Sequence, residues 1–266
     1  MIYTITLCPY LNRVVEVDEF IYDDVNNILQ ENRKAGGRGI DISRVVKELG
    51  GQSVALGFAG GYNGSELEGR LKNEGIVCDF TKINGETRAN YVIFQRKKKS
   101  KTLLSTDEPE IGQHEVAALL NRIKEIPADS DSYVIISGNT PKGVDDDLLA
   151  QIIIILKDKG VKTIIDTDGV TLKMAVDARP YLIKPNIHEF GRLVGKNISS
   201  VDDIIDSAKY FEDMLEYLVV SMGARGAVGI NNNGNYLVNP PKLKAGSLTG
   251  AGDSFVAGMV YALSEK

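Results

Sequence analysis

The first third of the chain alternates. Apolar and polar positions exchange along Ile2-Tyr-Thr-Ile-Thr-Leu7 and again at Val14-Val-Glu-Val17, the period-two rhythm of strands, and residues 26–34 read as polar extended chain. The period then changes. Between Arg38 and Leu49 the apolar residues Ile40, Ile42, Val45, Val46 and Leu49 gather on roughly one helical face. From Ser53 the pattern predicts a strand over 53–59, a helix over 63–74 and strands around 78–82 and 89–95. After Gly112 it becomes regular: helix 113–125, strand 132–137, helix 144–159, strand 162–166, helix 170–177, strand 181–183, helices 187–194 and 201–213, and strand 217–221. A hairpin over 226–238, turning at an Asn-Asn-Asn-Gly run, precedes a last helix from Gly250, whose apolar positions are Phe255, Val256, Met259, Val260 and Leu263. Strands that alternate with helices imply right-handed crossovers and a mostly parallel sheet covered on both faces. Two β pieces, 10–34 and 87–106, break that alternation. They can pair with each other as a small sheet standing off the main domain, a lid over a cleft.

Composition narrows the classes. A chain of 266 residues with 43% hydrophobic and 25% charged residues can bury a substantial core. The net charge of −5 argues against broad phosphate neutralisation of a nucleic acid, so an anionic substrate would need a local cluster of Lys and Arg. Cys8 and Cys78 make no CxxC pair, and His114 and His188 are the two histidines, which argues against a structural zinc. The N-terminus has no charged stretch ahead of an apolar one, and the apolar run Gln151–Leu156 is too short to span a bilayer. These features predict a reduced, cytoplasmic chain with neither membrane nor nucleic acid as partner. The charge run Arg96–Lys101 reads as a solvated hairpin tip. Lys266 follows soon after the helix opening at Gly250, so the C-terminal end of the domain is expected to be missing.

The chemistry concentrates in five segments. Gly250-Ala251-Gly252 carries almost no side-chain bulk and opens a helix, so free N–H groups and the helix dipole can meet an anion there. Asp253 follows at once. A carboxylate beside a phosphate site makes sense if it takes a proton from a hydroxyl attacking a phosphoryl group held by those amides; otherwise it is an ordinary first-turn residue. Gly36-Gly37-Arg38-Gly39-Ile40-Asp41 brings backbone and guanidinium together at a helix entry, which suits sugar hydroxyls or a phosphate, or is simply a loop. Arg88 and Asn90, two apart at the start of a strand, suit the same recognition. Lys184-Pro185-Asn186 and Glu189 open a helix after a strand. Asn186 and Glu189 can hold water around Mg²⁺, can form a capping box, or both. Ser221-Met-Gly223-Ala-Arg-Gly226 ends a strand in a glycine turn, where nucleotides bind open α/β sheets. A P-loop is absent, and Gly250-Ala-Gly252 does not complete a dinucleotide fingerprint because Phe255 stands where the third glycine belongs.

In this order the segments resemble the PfkB group of ribokinase-like sugar kinases, in the branch of 1-phosphofructokinases and tagatose-6-phosphate kinases, over essentially the whole chain. The resemblance implies one domain over 1–266, a three-layer α/β/α sandwich with a mostly parallel sheet and a small β lid, ATP with Mg²⁺, and a homodimer through the lid. It implies Asp253 as the base and the amides of Gly250, Ala251 and Gly252 as the phosphoryl clamp. Lys184, Asn186 and Glu189 would serve triphosphate and metal, and Ser221, Gly223, Gly226 and Thr249 the nucleotide. Asn12, Gly37, Arg38, Gly39, Asp41, Arg88 and Asn90 would bind the phosphosugar. Cys8 and Asn12 stand where the branch carries Asn and Asp, and Arg38 and Asp41 where it carries Lys and Asn. The nucleotide half therefore keeps the pattern and the acceptor half departs from it. Kinases of another small sugar or nucleoside, and a binding protein without turnover, are the alternative readings.

Overall fold

The computed structural model describes residues 1–241 and 250–265; Thr249, assigned above to the nucleotide, lies outside the described residues. The chain runs β1 (Ile2–Thr6), β2 (Tyr10–Val17), β3 (Gln30–Gly36), α1 (Arg38–Glu48), β4 (Ser53–Gly60), α2 (Gly61–Asn73), β5 (Val77–Cys78), β6 (Thr81–Ile83), β7 (Ala89–Gln95) and β8 (Ser100–Ser105). It continues with α3 (Gln113–Glu125), β9 (Tyr133–Ser137), α4 (Leu148–Lys157), β10 (Lys162–Asp166), α5 (Gly169–Asp177), β11 (Leu182–Ile183), α6 (Ile187–Val194), α7 (Val201–Ala208), β12 (Tyr217–Ser221), β13 (Ala227–Asn231), β14 (Gly234–Val238) and α8 (Ala251–Ser264).

The large sheet has the order β14-β13-β12-β11-β10-β9-β1-β4-β5, with β6 also on β4. From β12 to β5 all neighbours are parallel, and β13 and β14 close one edge as an antiparallel hairpin. Alternate residues of each strand feed two cores, the mark of a sheet covered on both faces. Val134, Ile136, Ile165, Ile183, Leu218 and Val220 pack with residues of α3 to α7. Tyr133, Ile135, Ile164, Leu182 and Val219 pack with Ile42 and Val46 of α1 and Val256, Ala257 and Val260 of α8. Because the strands are parallel, the residues just past β1, β9, β10, β11 and β12 all emerge along one edge, the edge where open α/β sheets bind ligands. A second, four-stranded sheet has the order β3-β2-β7-β8, with β2 and β7 parallel and the outer pairs antiparallel. It comprises the two segments that broke the alternation.

Several boundaries move for local reasons. The strand expected over 78–82 is two short strands, because β5 pairs Val54 and Ala55 at the start of β4 whereas β6 pairs Phe58 to Gly60 at its end. Helix α2 begins at Gly61, two residues earlier than expected, since Glu86 accepts hydrogen bonds from the amides of Tyr62 (3.2 Å) and Asn63 (2.5 Å) and so caps the helix from a distant segment. The helix expected over 201–213 ends at Ala208 and continues as one 3₁₀ turn over Lys209–Phe211. The helix expected over 144–159 is Leu148–Lys157. At the tip joining β7 to β8, Arg96 pairs with Glu16, and Lys98 with Glu19 at 3.0 Å, so the charge run is a solvated, partly neutralised turn.

Candidate active site

Helix α8 supplies the end expected to meet an anion. Gly250 is its N-cap at φ 82° and ψ 0°, a left-handed geometry that costs glycine little and a side chain more. Gly250 has no side chain to cap the helix, and among the described residues nothing accepts from the amides of Ala251, Gly252 or Asp253. The first N–H groups of a helix have no partner within it, so with no acceptor among the described residues these amides can meet an anion.

Asp253, in that first turn, is half-buried and faces charges from three other elements. Burial raises its carboxyl to about 6, Asp166 and Asp41 push in the same direction, and Arg38 and Lys184 oppose them. A base with this proton affinity is ionised above neutral pH and protonated in mild acid. The expected pH profile follows: kcat/KM is flat above about pH 7 and falls about tenfold for each pH unit below about 6. A rate measured from pH 5 to 8 on a saturating-ATP background checks it, and a profile flat down to pH 5 would contradict it.

Lys184, at the end of β11, is buried and places its Nζ 3.1 Å from Asp166 Oδ1; both side chains are 5% exposed. Ser137, ending β9, donates to Asp166 Oδ2 at 3.0 Å. Asp166 is thus satisfied on both oxygens. Asn186 caps α6: its Oδ1 accepts from the amides of His188 (2.9 Å) and Glu189 (3.0 Å), while Glu189 Oε2 accepts from the Asn186 amide at 2.7 Å. The capping box is therefore real, and it fixes both side chains at the ligand edge of the sheet. Glu189 Oε1 has no hydrogen-bond partner among the described residues. Asn186 also bridges to Ser221, and the Ser221 amide donates to the Pro185 carbonyl at 3.0 Å, so these two sequence motifs lie side by side. Beyond Ser221 the chain makes a 3₁₀ turn over Gly223–Arg225, closed by Met222 N to Gly226 O at 2.7 Å.

The remaining predicted residues lie at the start of α1 and in the small sheet. At Gly39 the backbone passes so close to β1 that an added Cβ would sit 2.6 Å from Thr6 Oγ1 and 3.1 Å from the Ile5 carbonyl oxygen. That contact, with Gly37 seated against Thr6, puts Arg38 and Asp41 at the end of β1. Asn12 stands opposite Lys34 on β3 and Asn90 on β7, so all three share one face of the small sheet. Asn90 already accepts from Ser105 Oγ at 2.7 Å. Arg88 precedes β7, stacks on Tyr10 with its guanidinium carbon 5.0 Å from the ring centroid, and pairs with Glu108 at 3.4 Å. Its Nε is buried without a partner. Cys8 lies beside this pair; burial pushes its thiol up to about 12, with Arg88 opposing, so it is no nucleophile near neutral pH. A cavity of about 500 Å³ opens at the opposite edge of the large sheet among Lys162, Tyr181 and Glu216, and no predicted site residue lines it.

One family model spans residues 5–266, that of the pfkB family carbohydrate kinases. The chain belongs to the pfkB family. Its fold and sequence agree with that throughout. It is 36% identical to a 1-phosphofructokinase of Borreliella burgdorferi, over 98% of this chain and 84% of the relative. It is 34% identical to a tagatose-6-phosphate kinase of Staphylococcus epidermidis, over 99% of this chain and 85% of the relative. Phosphofructokinase-2 from Escherichia coli, solved in complex with fructose-6-phosphate, superposes with a TM-score of 0.88 at 28% identity, covering 99% of this chain and 87% of that one. The ribokinase-like α/β architecture and the membership of a kinase family that were expected from the motifs are both found, and this pfkB chain is an ATP-dependent sugar kinase.

Sequence reading missed Asp166, Ser137, Tyr10 and Arg44. Asp166 and Ser137 carried one signal: each is a polar residue closing an apolar strand at the ligand edge. Tyr10 carried none, because the charges around it come from distant segments, and Arg44 carried only its i,i+3 spacing from Asp41, since its brace Glu74 is thirty residues away. Among the described residues no helix is long and apolar enough to cross a membrane.

Proposed function

We propose that this chain transfers the γ-phosphoryl group of ATP to a hydroxyl of a ketose phosphate of the fructose-1-phosphate or tagatose-6-phosphate kind. The observation that carries the reading is the juxtaposition of uncapped α8 amides with Asp253, whose carboxyl is raised to about 6 by burial and by Asp166 and Asp41. Asp253 takes the proton of the acceptor hydroxyl as its oxygen bonds to the γ-phosphorus. The bond from that phosphorus to the bridging oxygen breaks, and ADP leaves. The amides of Gly250, Ala251 and Gly252 face the charge that spreads over the transferring oxygens, where fixed dipoles in a shielded site act most strongly. Lys184 neutralises the triphosphate, and the turn from Ser221 through Gly223 to Gly226 borders the nucleotide.

The donor set suits Mg²⁺. Among the described residues no group of three or more His, Cys, Asp or Glu side chains converges as a metal cage. Mg²⁺ keeps several waters and takes its other ligands from phosphates, which needs only a side chain such as Glu189 with an open oxygen, supported by Asn186. When bound, the ion neutralises triphosphate charge.

On the acceptor side Arg38 and Arg88 offer the cations that a phosphosugar requires in a chain of net charge −5, and Asn12, Asp41 and Asn90 offer hydroxyl partners. The small sheet acts as the lid. Its apolar residues Val14, Leu103 and Leu104 are exposed, which suits a second copy meeting it lid to lid. ATP as donor places the reaction in the cytoplasm.

The test is a coupled ADP-release assay with fructose-1-phosphate, fructose-6-phosphate, tagatose-6-phosphate, the free sugars ribose and fructose, and adenosine. Turnover with a phosphorylated ketose, and at least a hundredfold less with free sugars, is the expected result. Turnover confined to free sugars or to adenosine would replace the acceptor assignment.

A further inference from the structure

The acceptor side of the site is braced by a side chain that stands behind it. Arg44, in the second turn of α1, has a side chain 12% exposed. Its Nη1 donates to Asp41 Oδ1 at 2.6 Å, and its Nη2 donates to the Ala35 carbonyl at 2.7 Å. Its Nε and Nη2 also grip the two carboxylate oxygens of Glu74 at 2.6 and 3.1 Å. Glu74 is the C-cap of α2 and Ala35 is the next-to-last residue of β3, so one guanidinium joins α1, α2 and the small sheet. The planar fork of arginine makes this possible; four of its N–H directions are used.

Asp41 is held by one oxygen. Lys34 Nζ lies 4.0 Å from that same Oδ1, and Oδ2 has no hydrogen-bond partner among the described residues. Lys34 is also the cross-strand neighbour of Asn12. The Asp41 charge reaches both Tyr10 and Asp253, raising each. The open oxygen therefore stands in the region bounded by the lid, by Tyr10 and by the base.

We propose that Arg44 is a positioning residue for the acceptor: braced by Glu74 and the Ala35 carbonyl, it fixes the Asp41 carboxylate at the acceptor hydroxyls and sets its distance from Asp253. This rests on the kinase reading above. A salt bridge that served stability alone would be complete with the Glu74 pair. The further bonds to Asp41 and to β3, a strand of the lid, couple the sugar-side charge to lid position.

The charged and titratable groups facing Asp253 are Asp166 from β10, Lys184 after β11, Asp41 and Arg38 from α1, and Tyr10 from β2. In Arg44→Met, Asp41 loses its neutralising partner while the other four stay. The acceptor KM should rise roughly tenfold or more, the loss of one charge-assisted contact, with the ATP KM within about twofold. The carboxyl resonance of Asp253, followed by NMR without substrate, should titrate at higher pH. In Asp41→Asn it should titrate lower, and adding Arg44→Met to Asp41→Asn should move it no further. Glu74→Gln keeps the guanidinium but loosens its brace, and should give the Arg44→Met signs at smaller amplitude, which protects the test if the methionine variant folds poorly. Equal changes in both KM values, or an Asp253 titration unmoved by Arg44→Met and Glu74→Gln, would overturn the proposal. A moved titration in a protein that releases no ADP with any ketose phosphate would uphold the brace and defeat the kinase reading instead.

Discussion

Asp253→Asn is expected to lose turnover by about 10²- to 10⁴-fold, the range spanned by positioned general bases, while the folded protein melts higher than the wild type. The two effects have one cause. Burial, Asp166 and Asp41 all disfavour the ionised carboxylate, so at neutral pH the fold holds a charge it would shed more readily than in the unfolded chain. The sign follows from a folded value raised above the ordinary one of 3.8 to about 6. Below about pH 4 the carboxyl is protonated whether folded or not, and the variant gains nothing. Through the interval from about 4 to 6 the wild type progressively loses the stability that protonation gave, and above 6 the full difference remains. Asp253 keeps some contact with solvent, so screening leaves the gain at about 1 kcal/mol, or roughly 2–4 °C in Tm. Thermal melts of both proteins at pH 4 and pH 8, beside the ADP-release rate, check it. A variant that keeps near wild-type turnover would remove Asp253 from the chemistry, and one that melts lower at pH 8 would remove the electrostatic account of its environment.

Lys184→Met should be the most damaging single change to folding in the site. Lys184 and Asp166 form an ion pair at 3.1 Å with both side chains almost wholly shielded from water. Removing one partner leaves an uncompensated buried charge, a loss of about 3–5 kcal/mol and on the order of 10 °C in Tm. The second mutation sorts pair loss from packing loss. In the double variant Asp166→Asn/Lys184→Met no charge is stranded, Ser137 still has an oxygen to donate to, and more than half of the lost stability should return. Urea or thermal unfolding of the two variants and the wild type decides. A double variant no more stable than Lys184→Met would mean that the ammonium serves packing and not charge. On the role proposed for Lys184 at the triphosphate, activity should stay lost in both.

These expectations depend on residues of unequal legibility. The GAGD turn, the Lys184-Pro-Asn-x-x-Glu run and the Ser221 turn were readable because each packs its chemistry into a few consecutive residues, where helix entry and strand end impose local requirements of spacing and size. The capping box of Asn186 and Glu189 was readable for the same reason: its partners are three residues apart. Arg38 and Asp41 were readable as a motif but not as an electrostatic environment. Their effect on Asp253 spans more than two hundred positions and exists only because α1 packs against α8.

The amino-acid sequence by itself determined the order of strands and helices, the segregation of two β pieces into a separate sheet, and which glycine turn opens the last helix. All of these follow from periodicity and from the backbone freedom of neighbouring residues, which are local properties. Only the tertiary structure decided that Asp166 satisfies Lys184, that Glu74 and Ala35 steady the arginine behind Asp41, and that the charges of Asp41 and Asp166 act on Asp253 in the first turn of α8. The sheet order sets these, by bringing the ends of β1, β9, β10, β11 and β12 to one edge. No local rule in the chain specifies which strand lies beside which, so the charge on Asp253 is a property of the fold and not of the turn that carries it.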